Sequence, residues 1–244
     1  MRIFAIADPH LSKAKAKPMD IFGGNWQGHP EIFFERWQEG VQDEDLVLIP
    51  GDISWAMRLE EAKLDLDDIG ALKGTKVILR GNHDYWWSSI GKVRASLPPR
   101  MYALQHDALR FEGGMGAVVI AGTRGWLCPN SFDFSEQDEK IFRREVERLR
   151  LSLNAAEDLR QTGDSLVVML HYPPTNLRLE PSPLTHLLLK ASPDALIFGH
   201  LHGFNPQQAA DKDGMRIIEE LGTIAIHFVA ADALAFRPKL IMEI

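Results

Sequence analysis

Five short clusters hold the residues with chemical potential. Asp8 and His10 stand two apart in Asp8-Pro9-His10, and Gly51-Asp52 comes next. Gly81-Asn82-His83-Asp84 follows, then His171, and last Gly199-His200-Leu201-His202-Gly203. Carboxylates, imidazoles and one amide oxygen suit borderline divalent metals such as manganese, iron or zinc. A calcium site would use oxygen alone, and a structural zinc site would use thiolates. Two such metals about 3.5–4 Å apart can share a bridging water and clamp a phosphoryl group. Each cluster alone has a plainer reading: a Gly-Asp makes turns, and a solitary His171 reads as a satisfied core histidine. Their order and joint placement argue for one site.

That placement comes from the elements that precede them. The apolar runs 3–7, 46–49, 76–79, 166–170 and 195–198 read as buried strands, and each cluster lies just past the carboxyl end of one. Open α/β sheets bind ligands at that end. In extended backbone, residues two apart face the same side, so Asp8 with His10, and His200 with His202, are expected to converge. Adjacent glycines let the backbone turn and approach closely. Further strands are expected at 117–121 and 239–244, with two more inside 217–230, broken near Gly222. Helical patterns cover 31–40 and 59–72. The clearest helix begins after Ser135, an N-cap followed by Glu136, Asp138 and Glu139, where the helix dipole favours negative charge. Phe142, Val146, Leu149 and Leu153 give it an apolar stripe. The mixed run of Arg143, Arg144, Arg148 and Arg150 with Glu145 and Glu147 reads as a solvated face. Strands alternating with helices predict an α/β core, the strand-rich second half predicts a second sheet, and residues 1–244 read as one domain. Residues 12–30 form a long loop that is either a lid or a surface insertion.

The bulk numbers narrow the function. The chain has 244 residues, 45% hydrophobic and 25% charged, enough for a core without disulfides. Lys plus Arg is 27 and Asp plus Glu 34, a net charge of −7 that makes long nucleic acid a disfavoured partner. The single Cys128 excludes an internal disulfide. No run approaches the roughly 20 apolar residues of a membrane span, and residues 1–8 are too short an apolar stretch for a signal peptide. A cytoplasmic protein with no membrane partner is the expectation.

The ordered set Asp8-x-His10, Gly51-Asp52, Gly81-Asn82-His83-Asp84, His171 and Gly199-His200-x-His202 resembles the calcineurin-like metallophosphoesterase superfamily, in particular its short prokaryotic-type members. The resemblance runs from residue 8 to residue 202. It implies two β-sheets packed face to face and flanked by helices, a four-layer α/β (α+β) sandwich. It also implies two divalent cations (manganese favoured, iron or zinc as alternatives) and hydrolysis of a phosphomonoester or phosphodiester by water that the metals activate. Carried over residue by residue, it makes Asp8, His10 and His202 ligands of one metal and Asn82, His171 and His200 ligands of the other. Asp52 bridges them, His83 is the catalytic histidine, and Asp84 orients it. One departure stands out: Gly51-Asp52 continues as Ile53-Ser54-Trp55-Ala56, without the Asp-Arg-Gly of the protein serine/threonine phosphatases.

Asn82 and Arg124 are the expected substrate-binding residues. Arg124, in Gly122-Thr123-Arg124-Gly125-Trp126 after a strand, can grip a phosphate oxygen with its planar fork, against the plainer reading of an exposed turn arginine. Trp86, Trp87 and Trp126 either line a pocket or pack in the core. His29, His106, His186 and His227 read as ordinary histidines. A small-molecule phosphate ester is the expected substrate. A nuclease with the same metal centre and a non-catalytic binding module are the alternatives, the first weighed down by the acidic charge and the second by the complete ligand set.

Overall fold

Strands that are apolar at every position need cover on both faces. The computed structural model, which describes residues 1–178, 180–203 and 224–244, meets that need with four layers. One sheet joins β1 (Arg2–Ala5), β2 (Leu46–Ile49), β3 (Thr75–Leu79), β4 (Met101–Leu104) and β10 (Lys239–Glu243) in the order β10-β1-β2-β3-β4. The other joins β5 (Ala108–Glu112), β6 (Ala117–Thr123), β7 (Ser165–Leu170), β8 (Ala195–Phe198) and β9 (Ala225–Phe228) in chain order. Within each sheet the pairing is parallel except at one edge, where β10 runs antiparallel to β1 and β5 antiparallel to β6.

Alternation then divides each strand between two cores. Ile3, Ala5, Leu46, Leu48, Val77 and Leu79 meet Val118, Ile120, Val167, Met169 and Ile197 between the sheets. Phe4, Val47, Ile49 and Ile78 face outward onto α1 (His29–Gly40), α2 (Leu59–Ala71) and α3 (Ile90–Ser96), through Phe33, Trp37, Leu66, Ile69 and Val93. Val119, Ala121, Leu166, Val168 and Leu196 face α4 (Glu136–Leu159) and α5 (Pro183–Ala191), through Phe142, Leu149, Leu184 and Leu188. Each buried Val, Leu, Ile, Phe or Met among them contributes about 1.5–3 kcal/mol by leaving water.

The expected strands form, with small shifts at their ends. The first stops at Ala5, and Ala7 makes only an isolated parallel bridge to Ala230. The stretch 217–230 yields Ala225–Phe228, and residues 217–223 lie outside the described residues. The helix after Ser135 is capped as expected, with Ser135 Oγ accepting from the Asp138 N–H at 3.3 Å and Asp138 Oδ2 accepting from the Ser135 N–H at 3.0 Å. Its charge run corrects the expectation at one position. Glu145 is fully buried, because it falls on the inward stripe between Phe142 and Leu149. β4, β5, α3 and α5 add elements that the apolar runs did not announce.

Candidate metal centre

Because β1, β2 and β3 are parallel in one sheet and β7 and β8 in the other, their carboxyl ends open on a common edge. Asp8 and His10 follow β1, Asp52 follows β2, and Asn82 to Asp84 follow β3. His171 follows β7, and His200 and His202 follow β8. The residues converge as expected, but not by extended alternation. Asp8, His10, Asp52 and His200 all have left-handed backbone, with φ of 59°, 46°, 53° and 71°. Tight turns aim these side chains, and such turns in non-glycine residues cost energy that the surroundings must hold in place. Hydrogen bonds lock them, from the Asp8 N–H to Gly51 O (3.0 Å) and from the His10 N–H to Asp52 O (3.1 Å). Two glycines are required by close approach: a Cβ on Gly81 would stand 2.1 Å from Asp52 Oδ1, and one on Gly199 would stand 2.3 Å from Asp8 Oδ2.

Among the described residues, two groups bring candidate ligand atoms within 4.8 Å of one another: Asp8, His10, Asp52 and His202, and Asp52, His171 and His200. Asp52 belongs to both. Its Oδ1 accepts from the His83 N–H at 2.8 Å, while its Oδ2 is buried without a partner, 3.7 Å from His10 Nε2 and 3.5 Å from His171 Nε2. Asp8 repeats the pattern, with Oδ2 accepting from the His200 N–H at 2.9 Å and Oδ1 buried and unpartnered. The Nδ1–H of His171 donates to Pro50 O at 2.9 Å, so its Nε2 lone pair confronts Asn82 Oδ1 at 2.7 Å. His10 Nε2 and His202 Nε2 confront each other at 2.9 Å. The His171 and Asn82 lone pairs repel at their separation unless a cation lies between them, and the His10–His202 contact can be filled either by an N–H of one ring or by a cation. Both separations match the edges of a coordination shell with donors about 2.0–2.2 Å from a metal.

The electrostatics agree. Burial pushes the Asp8 carboxyl well above its ordinary value, and the neighbouring charge of Asp52 adds to the shift. Burial also raises Asp52, opposed by the His83 N–H. Burial pulls His171 to about 3 and His200 to about 2, and lowers His10 strongly. Neutral imidazoles around uncompensated carboxylates form a donor set that fits divalent cations.

The model of the calcineurin-like phosphoesterases matches residues 1–204. The chain belongs to the calcineurin-like phosphoesterase family. The family is divalent-metal dependent, in keeping with the two groups of ligand atoms. No curated protein matches the chain in sequence. Among solved structures it is similar to the phosphopantetheinyl hydrolase PptH from Mycobacterium tuberculosis, with 14% identity over 83% of each chain and a TM-score of 0.50, a likeness of fold. The protein AQ665 from Aquifex aeolicus, described as of unknown function, aligns over 98% of this chain and 94% of its own, with 15% identity and a TM-score of 0.47. Among the described residues no helix is long and apolar enough to cross a membrane.

Within this family member, Asp84 corrects one expectation. It does not hold the His83 ring. Its two oxygens accept from the N–H groups of Asp52, Ile53, Ser54 and Gly81 and from Trp86 Nε1, at 2.7–3.2 Å. Asp84 is therefore the buried clasp between the Gly51-Asp52 turn and the Gly81-Asn82-His83 turn. His83 is half-buried, with its ring 4.4 Å from Trp55 and its Nδ1 3.4 Å from the Tyr85 hydroxyl. Burial lowers its pKa, with Asp52 opposing.

Several supporting residues carried no sequence signal. Asp232 lies 3.4 Å from His202 Nδ1 and accepts from the Gly203 N–H at 2.9 Å, which turns His202 Nε2 toward His10. Trp55 stacks on His10 at 4.9 Å, and Trp26, from the loop 12–30, packs edge-on against His10 and His202. Arg124 is only 12% exposed. It stacks over Trp126 at 4.4 Å and reaches Glu145 at 3.4 Å, while Glu145 also accepts from Thr123 Oγ1 and pairs with Arg148. The plainer reading of Arg124 as an exposed turn arginine is thereby corrected. Trp86 and Trp87 are core residues, and Trp126 lines a cavity.

Proposed function

We propose that the protein is a dinuclear metal-dependent phosphoesterase that hydrolyses a small-molecule phosphomonoester or phosphodiester. Asp8, His10 and His202 would hold one cation and Asn82, His171 and His200 the other, with Asp52 available to both. Manganese is favoured, and iron and zinc take the same donors. When bound, the cations supply charge neutralisation at the phosphoryl oxygens and lower the pKa of the attacking water. His83 protonates the leaving oxygen through Nε2, since its Nδ1 faces Tyr85. The Asn82 side chain and the Arg124 charge help orient the phosphate. Arg124 is close enough that its charge favours ionised Asp52. The observation that carries the reading is the unpartnered, buried Asp52 Oδ2, which belongs to both ligand groups. The test is a panel of phosphomonoesters, cyclic nucleotides and oligonucleotides with several divalent metals. The reading expects metal-dependent turnover of small esters. Turnover confined to oligonucleotides would favour the nuclease, and no turnover with any metal would reject catalysis.

A further inference from the structure

The loop 12–30 is seated on the first ligand group. Its Trp26 is 2% exposed and packs edge-on against His10 and His202. Its Met19 is 4% exposed, and the Met19 Sδ accepts the Trp55 Nε1–H at 3.2 Å. Lys17 stands two residues before Met19, and its backbone N–H donates to Ser12 Oγ at 3.1 Å. These contacts carry the Lys17 ammonium onto the face of the Trp55 ring, 3.1 Å from the centroid.

The Trp55 ring is a shared platform. His10 stacks on it at 4.9 Å with an interplanar angle of 20°, and the His83 ring lies 4.4 Å away. The Lys17 ammonium is therefore no farther from the His83 ring than the 3.1 and 4.4 Å spans laid end to end. One indole thus joins a candidate ligand, the candidate proton donor and a positive charge.

That charge is uncommitted. Lys13, on the same loop, gives its ammonium to both Asp68 oxygens, at 2.6 and 2.7 Å, and its N–H to Asp65 at 3.0 Å. The Lys17 ammonium has no carboxylate or carbonyl partner among the described residues, and its side chain is exposed, so a ligand can reach it. An aromatic face attracts a cation but leaves its N–H donors open to an anion. Phosphoryl transfer runs in line, with the leaving oxygen opposite the attacking water. His83 marks the leaving side, so a charge beside it faces the alcohol part of the ester.

We propose that Lys17 binds an anionic group, a carboxylate or a second phosphoryl group, on the alcohol side of the substrate. The proposal rests on the phosphoesterase reading for what is bound. The loop contacts alone say where.

The experiment uses the full chain loaded with manganese. It measures kcat/KM for ethyl phosphate, phosphoglycolate and ethylene glycol bisphosphate, which share a two-carbon alcohol and differ in its far end. Calorimetric binding of 3-phosphonopropionate against propylphosphonate repeats the carboxylate comparison without turnover. At least one doubly anionic ester should exceed ethyl phosphate by about tenfold, the worth of one charge-assisted hydrogen bond. A preference for phosphoglycolate assigns the carboxylate, and one for the bisphosphate assigns the phosphoryl group. Lys17→Met should bring the preferred ratio near one, Lys17→Glu should invert it, and Lys17→Arg should keep most of it, all with unchanged metal content by elemental analysis. Ethyl phosphate turned over as well as both charged esters by the wild type would overturn the proposal and leave the phosphoesterase reading intact. A loss in Lys17→Met of the same factor for all three esters would also overturn it, in favour of a contact to the scissile phosphate or a purely structural loop. A phosphonopropionate preference that Lys17→Met abolishes, with no ester hydrolysed, would support the Lys17 site and reject the catalytic reading.

Discussion

Asp52 hands one oxygen to the His83 N–H and leaves the other buried and unpartnered between two histidines. Asp52→Asn removes the charge that both ligand groups share. Metal content by elemental analysis should fall together with activity, and full occupancy with unchanged turnover would remove the bridging assignment. His83 is a different case, because its ring contacts Trp55 and Tyr85 and belongs to neither ligand group. His83→Asn should keep the metals and lose roughly 10²–10⁴ in rate, with a smaller loss for esters with good leaving groups. An equal loss across leaving groups would argue against the proton-donor role. Asp84→Asn should act through structure. It removes one carboxylate oxygen from a set of five N–H donors and faces them with an amide N–H instead. Each donor left without an acceptor costs about 1–3 kcal/mol, so the denaturant midpoint should drop clearly and metal retention with it. An unchanged midpoint would return Asp84 to the side-chain role that the family pattern implied. At this scale the ligand types were legible because they recur at strand ends in a fixed order. Asp232, Tyr172 and Trp55 were not, since a lone Asp or aromatic in a loop has no spacing to mark it, and only the fold brings these three beside the histidines.

The strands were legible as elements because burial on both faces makes them continuously apolar, as in Val167 to Leu170 or Ala195 to Phe198. β5 was not, since its Arg110 and Glu112 bond each other at the surface edge of the second sheet and break the apolar run. The turns that aim the ligands were also invisible, because left-handed Asp8, His10, Asp52 and His200 look like any other residues in sequence. β3 carries a further exception. Lys76 lies on the strand face toward α2, is only 1% exposed, and donates its ammonium to the Gly70 and Leu72 carbonyls at that helix's end. Those carbonyls suit a cation, yet burial, with Arg100 adding, pulls its pKa from 10.5 to about 8. The folded protein therefore gives up this proton before the unfolded chain does. Stability attributable to Lys76 should be lowest below pH 8 and rise as pH climbs from about 8 to 10.5. Urea midpoints across that window should show the rise in the wild type and lose it in Lys76→Met. A rise of equal size in the variant would assign it to another group.

The two sheets meet at the candidate centre as well as in the core between them. Asp8, His10, Asp52 and Asn82 come from one sheet, and His171, His200 and His202 from the other. Direct bonds already cross the gap, from the His200 N–H to Asp8 and from His171 Nδ1 to Pro50 O. Cations there would clamp both layers together, so their removal should lower the unfolding midpoint of the whole molecule in a single transition. At a concentration one hundred times the dissociation constant, each bound ion adds about 2.7 kcal/mol. The pH dependence follows from the signs. Asp8 and Asp52 have folded pKa values raised by burial, and Asp84 is pushed up to about 7 by burial and by Asp52. In the cation-free protein such groups favour stability at low pH and withdraw it as pH rises through their folded values. His171 and His200, at about 3 and about 2, carry the opposite sign: their share is present above the ordinary value of 6.5 and fades as pH falls. Burial raises Asp8 and Asp52 and keeps His10, His171 and His200 toward the neutral form, so a proton displaced by a cation comes from the two carboxyl groups. The increase in midpoint on adding manganese should therefore grow as pH rises through their folded values, with proton release that calorimetry in buffers of different ionisation enthalpy counts directly. A manganese-dependent midpoint shift independent of pH, with no proton release, would mean that Asp8 and Asp52 are ionised before the cations arrive and that the buried carboxylates are compensated in some other way.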